Sequence, residues 1–401
     1  MAVGSACLPV CLPTVTFSRM DLCPRQLDIY RTVIPMRRFE HSAAAREAAE
    51  AIVVRLELGG GAVGWGETLP RPYVTGETPE SATQDIEQIM WPALLAGSPP
   101  PERALAELDV GDALPMEVAG RKVTAARCAV ELAWLDALAV AHGLPLGRPV
   151  GREVRVSGVL GSSVPDRTAR HLRLMRIFGL RDFKLKLGLG ADVDRQNLAI
   201  VHRRMAQGLA AGKLTLRVDV NGGWRPEDTP ERSAELAALG VCAIEQPVFC
   251  GAAELAELGG RCALPLLADE SLVTPADAAA LLAAKGRVWL NIRLSKNGGI
   301  GPSLAIARRA VEAGVPWVSG CMVGESSILS AAQRVLLGRA PRPRFVEGNY
   351  GRFLLAGDLC RRSLRFGYAG RLTELKGPGF GAAVDPARLS QSGRLVKSLR
   401  A

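Results

Sequence analysis

Along residues 14–123 the spacing of apolar positions changes repeatedly between two and three-to-four, the mark of mixed strands and helices. Ala51–Leu58 reads as a strand, Gly59-Gly60-Gly61 as a turn and Ala62–Gly66 as the returning strand, a hairpin. Helical spacing follows over Pro79–Leu95, Glu102–Asp109 and, longest and most apolar, Arg121–His142.

Beyond Pro145 the pattern becomes an alternation of short β-type runs with amphipathic helices such as Pro302–Ala313. The runs are Val154–Leu160, Phe183–Lys186, Leu214–Asp219, Val241–Glu245, Leu264–Asp269, Val288–Ile292, Trp317–Gly320 and Arg344–Glu347. Alternation of that kind predicts parallel strands with helical crossovers, and eight units predict a closed (β/α)₈ barrel of the TIM type. The expected organisation is a loose N-terminus over 1–13, an α+β capping domain over 14–123, an α/β barrel over 124–347, and an irregular segment over 348–401 that packs back on both.

Composition narrows the function classes. With 48% apolar and 22% charged residues in 401, the chain is neither disordered nor fibrous. The net charge of +10 is scattered, with pairs such as Arg37-Arg38, Arg203-Arg204 and Arg361-Arg362, and aromatics are only 5%. A nucleic-acid footprint concentrates on one face, so small anions are the better partners and no nucleic acid is expected. The nine cysteines lack any Cys-x-x-Cys pair, which suits reduced thiols in a cytoplasm. Pro9 and Pro13 interrupt the mildly apolar start, and no later stretch is long enough for a membrane span. A cytoplasmic homo-oligomer without membrane contact is expected.

The chemistry lies at the strand ends, where barrels place their active sites. Strand two closes as Phe183-Lys184-Leu185-Lys186, strand three as Arg217-Val218-Asp219-Val220-Asn221, strand four as Ala243-Ile244-Glu245-Gln246-Pro247 and strand five as Leu267-Ala268-Asp269-Glu270; strand six continues through Asn291-Ile292-Arg293-Leu294-Ser295-Lys296. Asp219, Glu245 and Asp269 thereby fall at one height on successive strands, and such carboxylates repel unless a cation joins them. An all-oxygen set suits Mg²⁺, with Mn²⁺ as the alternative ion; singly, each acid could equally cap a helix or pair with an arginine. Lys186 and Lys296 would face a ligand from opposite sides, as two-faced proton transfer requires. Lys184 shares the pleat face of Lys186, so like charge and a metal would lower the Lys186 pKa while Lys184 remains a fixed positive charge.

Taken together, Lys184-x-Lys186, Asp219-x-Asn221, Glu245-Gln246-Pro247, Asp269-Glu270-Ser271 and the run from Asn291 to Gly298-Gly299 resemble the enolase superfamily, in its muconate cycloisomerase subgroup within the mandelate racemase/muconate lactonizing enzyme family. Gly64-Trp65-Gly66-Glu67 and the stretch from Ala129 to Asp136 extend the resemblance into the first domain. The resemblance implies Lys184, Lys186 and Lys296 as catalytic groups, and Asp219, Glu245 and Asp269 as ligands of Mg²⁺. It also implies a segment Ile34–His41 acting as a mobile substrate loop, with Arg37 or Arg38 meeting a second anionic group. Asn221, Glu270, Arg293, Glu325 and Glu347 complete the candidate substrate-binding set. Arg293 stands where many relatives carry Lys, and the eighth strand ends in Val346-Glu347-Gly348-Asn349 where dipeptide epimerases carry two aspartates for the substrate ammonium. In the loop Gly320–Ser327, Glu325 either supports Lys296 or caps the following helix.

The implied reaction is abstraction of the proton α to a carboxylate through an ene-diolate, which superfamily members achieve with a Lys or His base and Mg²⁺. Return of a proton gives racemisation or epimerisation; ring closure or opening gives cycloisomerisation. Dipeptide epimerase, N-acylamino acid racemase and an o-succinylbenzoate synthase-like dehydratase are alternatives within this chemistry. A Schiff-base aldolase and a non-catalytic carboxylate-binding barrel lie outside it.

Overall fold

The computed structural model describes residues 20–41 and 44–401, without the side chains of 38–41 and 44–46; the N-terminal stretch read as loose lies outside the described residues. The chain opens with a meander of three antiparallel strands, β1 (Pro24–His41), β2 (Ala44–Leu58) and β3 (Val63–Thr68). The expected hairpin is the β2–β3 pair, turning through Gly59–Ala62. The segment 34–41, expected as a loop, instead completes β1, its backbone tied outward by Arg37 N–H donating to Leu354 O at 2.8 Å.

Two features of the helical stretch that follows trace directly to residue chemistry. The helix predicted over Pro79–Leu95 is α-helical at Pro79–Asp85 and Trp91–Gly97, with a π turn at Ile86–Met90 between. Pro92 has no N–H for the α ladder, and the register shifts just before it. A small hairpin, β4 (Glu117–Val118) with β5 (Arg121–Lys122), precedes the long helix Thr124–Ala141. That helix is buried along almost its whole length because it lies on the cap sheet, close enough that a Cβ at Gly66 would meet Ala129 O at 1.9 Å and one at Gly64 would meet Ala137 N at 2.1 Å. The Gly-Trp-Gly run is therefore a packing requirement.

Eight parallel strands follow: β6 (Gly158–Leu160), β7 (Asp182–Lys186), β8 (Thr215–Asp219), β9 (Ile244–Glu245), β10 (Leu266–Ala268), β11 (Val288–Ile292), β12 (Trp317–Ser319) and β13 (Phe345–Val346), paired in that order. The sheet curls until its ends meet: Val156, just before β6, bridges Val346 in parallel, and Ser157 N donates to Val346 O at 2.8 Å. The result is a barrel-like α/β domain beside an N-terminal cap. Inside it Leu267, Val318 and Phe345 form a small apolar layer below the strand ends.

The C-terminal segment returns to the cap. Asp136, on the long helix, accepts from Trp65 N at 2.9 Å and from Phe380 N at 2.7 Å, joining cap sheet and C-terminal segment. The chain is less irregular there than its Gly and Pro content suggests, for Gly393–Arg400 forms β14, antiparallel to β1. Among the described residues, no helix is long and apolar enough to cross a membrane.

Candidate active site

Strand register explains which side chains meet. Lys186 pairs with Asp219 and Asp219 with Glu245, whereas Glu245 pairs with Leu267, so Asp269 stands two residues further along, past the end of β10. Because the side-chain period in a strand is two, Asp269 still points to the face of Leu267 and Glu245. All three carboxylates are fully buried.

The lysines take the two ends of this row. Lys186 Nζ donates to Asp219 Oδ2 at 3.0 Å and to Asn221 Oδ1 at 2.9 Å. Lys296 Nζ donates to Asp269 Oδ1 at 3.0 Å, to Asp269 O at 2.6 Å and to Asn291 O at 2.9 Å. Burial lowers the Lys296 pKa, and the Arg293 charge adds to that, against the pull of Asp269. Lys184 lies between, with Nζ 3.2 Å from Asp219 Oδ2, 3.3 Å from Glu245 Oε2 and 2.8 Å from Glu347 Oε2. Burial opposes its charge, but Glu245, Glu347 and Asp219 outweigh burial and hold its pKa well above the ordinary value.

Burial and the crowding of Asp219, Glu347 and Asp269 push Glu245 up to about 8 despite Lys184. Asp219 is held below the usual carboxylate range, Lys186 and Lys184 overcoming its burial. Arg293 contacts Asp269 Oδ2 and stands 3.6 Å from Glu245 Oε1, while its Nε is buried without an acceptor. Glu270, raised to about 7 by burial and by Asp269, has a buried Oε2 without a donor, as has Asn291 Oδ1.

The donor chemistry fits a hard divalent cation: buried carboxylates on successive strand ends, with further oxygens left unsatisfied. As arranged, their charge is met by Lys184, Lys186, Arg293 and Lys296. Among the described residues no His, Cys, Asp and Glu side chains are gathered in a group of three or more able to hold an ion.

Other expected residues lie elsewhere or are engaged differently. Arg37 is exposed and the Arg38 side chain is outside the described residues. Glu325 neither reaches Lys296 nor caps the helix Ser327–Arg339; it accepts from Met322 N at 2.6 Å within its own loop, and burial raises it to about 8. The helix is capped by Ser326, and by Glu67 of the cap domain, which accepts from Ser326 Oγ at 2.7 Å and Leu329 N at 3.0 Å. Glu347 is closed in by Lys184 and Arg217. Arg217, whose guanidinium lies 4.5 Å above the Phe345 ring, is not among the candidate site residues read from the sequence, nor is Asn291, whose Nδ2 donates to Glu245 Oε1 at 2.9 Å. Each sits two residues before a named site residue on its strand, and that spacing was the available signal.

Comparison with known proteins places the chain in a family. Residues 26–151 match the mandelate racemase/muconate lactonizing enzyme N-terminal domain, and residues 167–388 the enolase C-terminal domain-like family. An N-succinyl-L-Arg/Lys racemase of Bacillus cereus is 28% identical over 76% of this chain and 81% of its own. Its crystal structure superposes with a TM-score of 0.82 at 26% identity, covering 94% of this chain and 100% of that one. An L-Lys-D/L-Arg epimerase of Methylococcus capsulatus is 30% identical over 84% of this chain and 91% of its own. A dipeptide epimerase of Cytophaga hutchinsonii, solved with Mg and D-Ala-L-Val, shares the fold with a TM-score of 0.77 at 22% identity, covering 94% of this chain and 99% of that one. With both family domains matched in order and these relatives covered over 81% of their own length or more, the chain belongs to the mandelate racemase/muconate lactonizing enzyme family of the enolase superfamily and is an isomerase of that family.

Proposed function

We propose that this enzyme removes the proton α to a substrate carboxylate with Lys186 and Lys296, beside a divalent ion held by Asp219, Glu245 and Asp269. The observation that carries the proposal is the placement of the two lysines at the two ends of one buried carboxylate row. Mg²⁺, or Mn²⁺ in its place, would supply Lewis-acid stabilisation of charge developing on the substrate carboxylate. Burial lowers the Lys296 pKa, which favours the neutral amine that a general base requires. Lys184 stays protonated and adds a fixed positive charge. The Val156–Val346 bridge supports reading the curled sheet as a closed (β/α)₈ barrel. The packing of Thr124–Ala141 on β3 supports assigning that helix to the cap, rather than beginning the barrel domain at 124.

The substrate class follows from Glu347. With Lys184 and Arg217 on its carboxylate, the eighth strand offers no free acid to a substrate ammonium. An amino acid whose nitrogen is acylated, with a second carboxylate or a neutral amide there, suits a strand end whose acid is already paired with two cations better than a free dipeptide. That agrees with the N-succinyl substrate named for the Bacillus cereus relative. Cycloisomerisation of a muconate-like dicarboxylate is the second reading, favoured by the same cations. Arg293, with its buried Nε lacking an acceptor, is proposed to meet substrate, along with Asn221, Glu270 and Glu325 and with Arg37 and Arg38 at the rim. Action in the cytoplasm as a homo-oligomer belongs to the same proposal.

Incubation in D₂O with Mg²⁺ and N-succinyl amino acids, free dipeptides or cis,cis-muconate tests it. Deuterium at the α-carbon of N-succinyl amino acids, abolished by chelator, is expected. Failure of every carboxylate to exchange in the folded, Mg²⁺-supplied protein would sink the proposal. Covalent trapping of a substrate carbonyl by borohydride would replace it with the aldolase reading.

A further inference from the structure

At the opposite end of the strands from the carboxylates, where the chain enters β7 and β8, lies a cavity of about 820 Å³ lined by Arg155, Arg176, Arg181, Lys213 and Arg371. No Asp or Glu lines it, and none of these five forms an ion pair among the described residues. Their arrangement goes beyond scattered surface charge. Arg155 and Arg371 are partners across an isolated antiparallel bridge, which starts both side chains from directly opposed positions, where like charges repel. Arg176 is fixed by donation from Nη1 to Arg204 O at 2.8 Å. At the rim Tyr368 is 64% exposed and backed by Phe178, the ring centroids 5.8 Å apart at 63°.

We propose that this cavity is a second site, separate from the catalytic one, that binds a nucleoside di- or triphosphate. A concave surface lined by one sign of charge focuses field onto an oppositely charged ligand. Arginine forks match phosphate oxygens in pairs. Cations on several sides of a space this large exceed what a single phosphate can neutralise, so a chain of phosphates is the fitting anion. Tyr368 offers the base a ring to stack on. The cavity volume lies in the range of sites for small organic ligands. None of this depends on the isomerase reading.

Titration calorimetry of the full chain with ATP, tripolyphosphate and adenosine tests the site. ATP and tripolyphosphate are expected to bind with Kd below roughly 1 mM, ATP the tighter, and adenosine not to bind. The doubly substituted Arg181→Ala/Lys213→Ala protein, altered only at exposed side chains, should bind both anions at least about tenfold more weakly, the loss of one to two charge-assisted contacts. Tyr368→Ala should bring ATP to the affinity of tripolyphosphate. Absence of ATP binding to the unaltered protein overturns the proposal. So does an unchanged Kd in Arg181→Ala/Lys213→Ala, which would place the anion elsewhere. If Tyr368→Ala leaves ATP tighter than tripolyphosphate, the nucleoside part is overturned.

Discussion

Lys184 donates to Glu347 across 2.8 Å, and both side chains are buried. Arg217 holds the other carboxylate oxygen. Although burial favours the neutral acid, Lys184 and Arg217 pull Glu347 down to about 2. Glu347→Gln would leave two buried cations short of an anion. Loss of about 3–5 kcal/mol of stability is expected, the range for breaking a buried pair. A urea unfolding midpoint unchanged from the parent protein would show that the pair does not stabilise the fold.

How much of this was legible beforehand depended on whether the signal was local. Lys184 and Lys186 could be read because alternation on one strand puts them on one face, and the carboxylates because each ends a predicted strand. Arg217 shares the face of Asp219 by the same spacing, but its partner is not legible: only curling the sheet brings it against Glu347, 130 residues away in the chain. The same holds for Glu67, recognisable as part of a motif but whose partner Ser326 lies 259 residues on. Asp269 was placed level with Glu245 because sequence carries no strand stagger. The segment 34–41 was expected to be a loop, but pairing with β2 extends it as strand.

Arg293 stands against two of the proposed ligands, so its guanidinium and a divalent ion compete for the same negative charge. Arg293→Met keeps much of the length and apolar volume of the side chain without the charge. Mn²⁺ is expected to bind that variant at least about tenfold more tightly, one ion contact at roughly 1.4 kcal/mol. Calorimetry giving equal or weaker affinity would mean that the guanidinium supports the ion. Asp219→Asn, Glu245→Gln and Asp269→Asn should each weaken binding in the same assay.

Each lysine, at its own end of the carboxylate row, is expected to serve one configuration of the α-carbon. Lys186→Ala and Lys296→Ala should each stop net turnover, by about a hundredfold or more, the worth of a positioned general base. For a racemase, each variant should keep α-deuterium exchange on the enantiomer facing its surviving lysine, read by NMR of the separate enantiomers in D₂O. For a cycloisomerase, exchange would survive in only one variant. Full turnover in Lys296→Ala, with Mn²⁺ affinity intact, would refute the two-lysine mechanism.

Glu67 links cap and barrel by accepting from Ser326 and Leu329, and burial raises its pKa from 4.5 to about 7. The folded state therefore binds the Glu67 proton more tightly than the unfolded chain does. The linkage favours folding fully below pH 4.5, and this contribution is lost as pH rises through about 7. A rise of that size corresponds to an upper limit on the order of 3 kcal/mol. Glu67→Gln retains an acceptor for the helix N–H groups but cannot titrate, and its amide N–H₂ brings a penalty that does not vary with pH. The variant is expected to melt below the parent at pH 5 and to close or reverse the gap by pH 8.5, read as Tm across that range. A gap that stayed constant, or widened with pH, would show that Glu67 remains ionised in the fold and that its bonds to the helix end outweigh its burial.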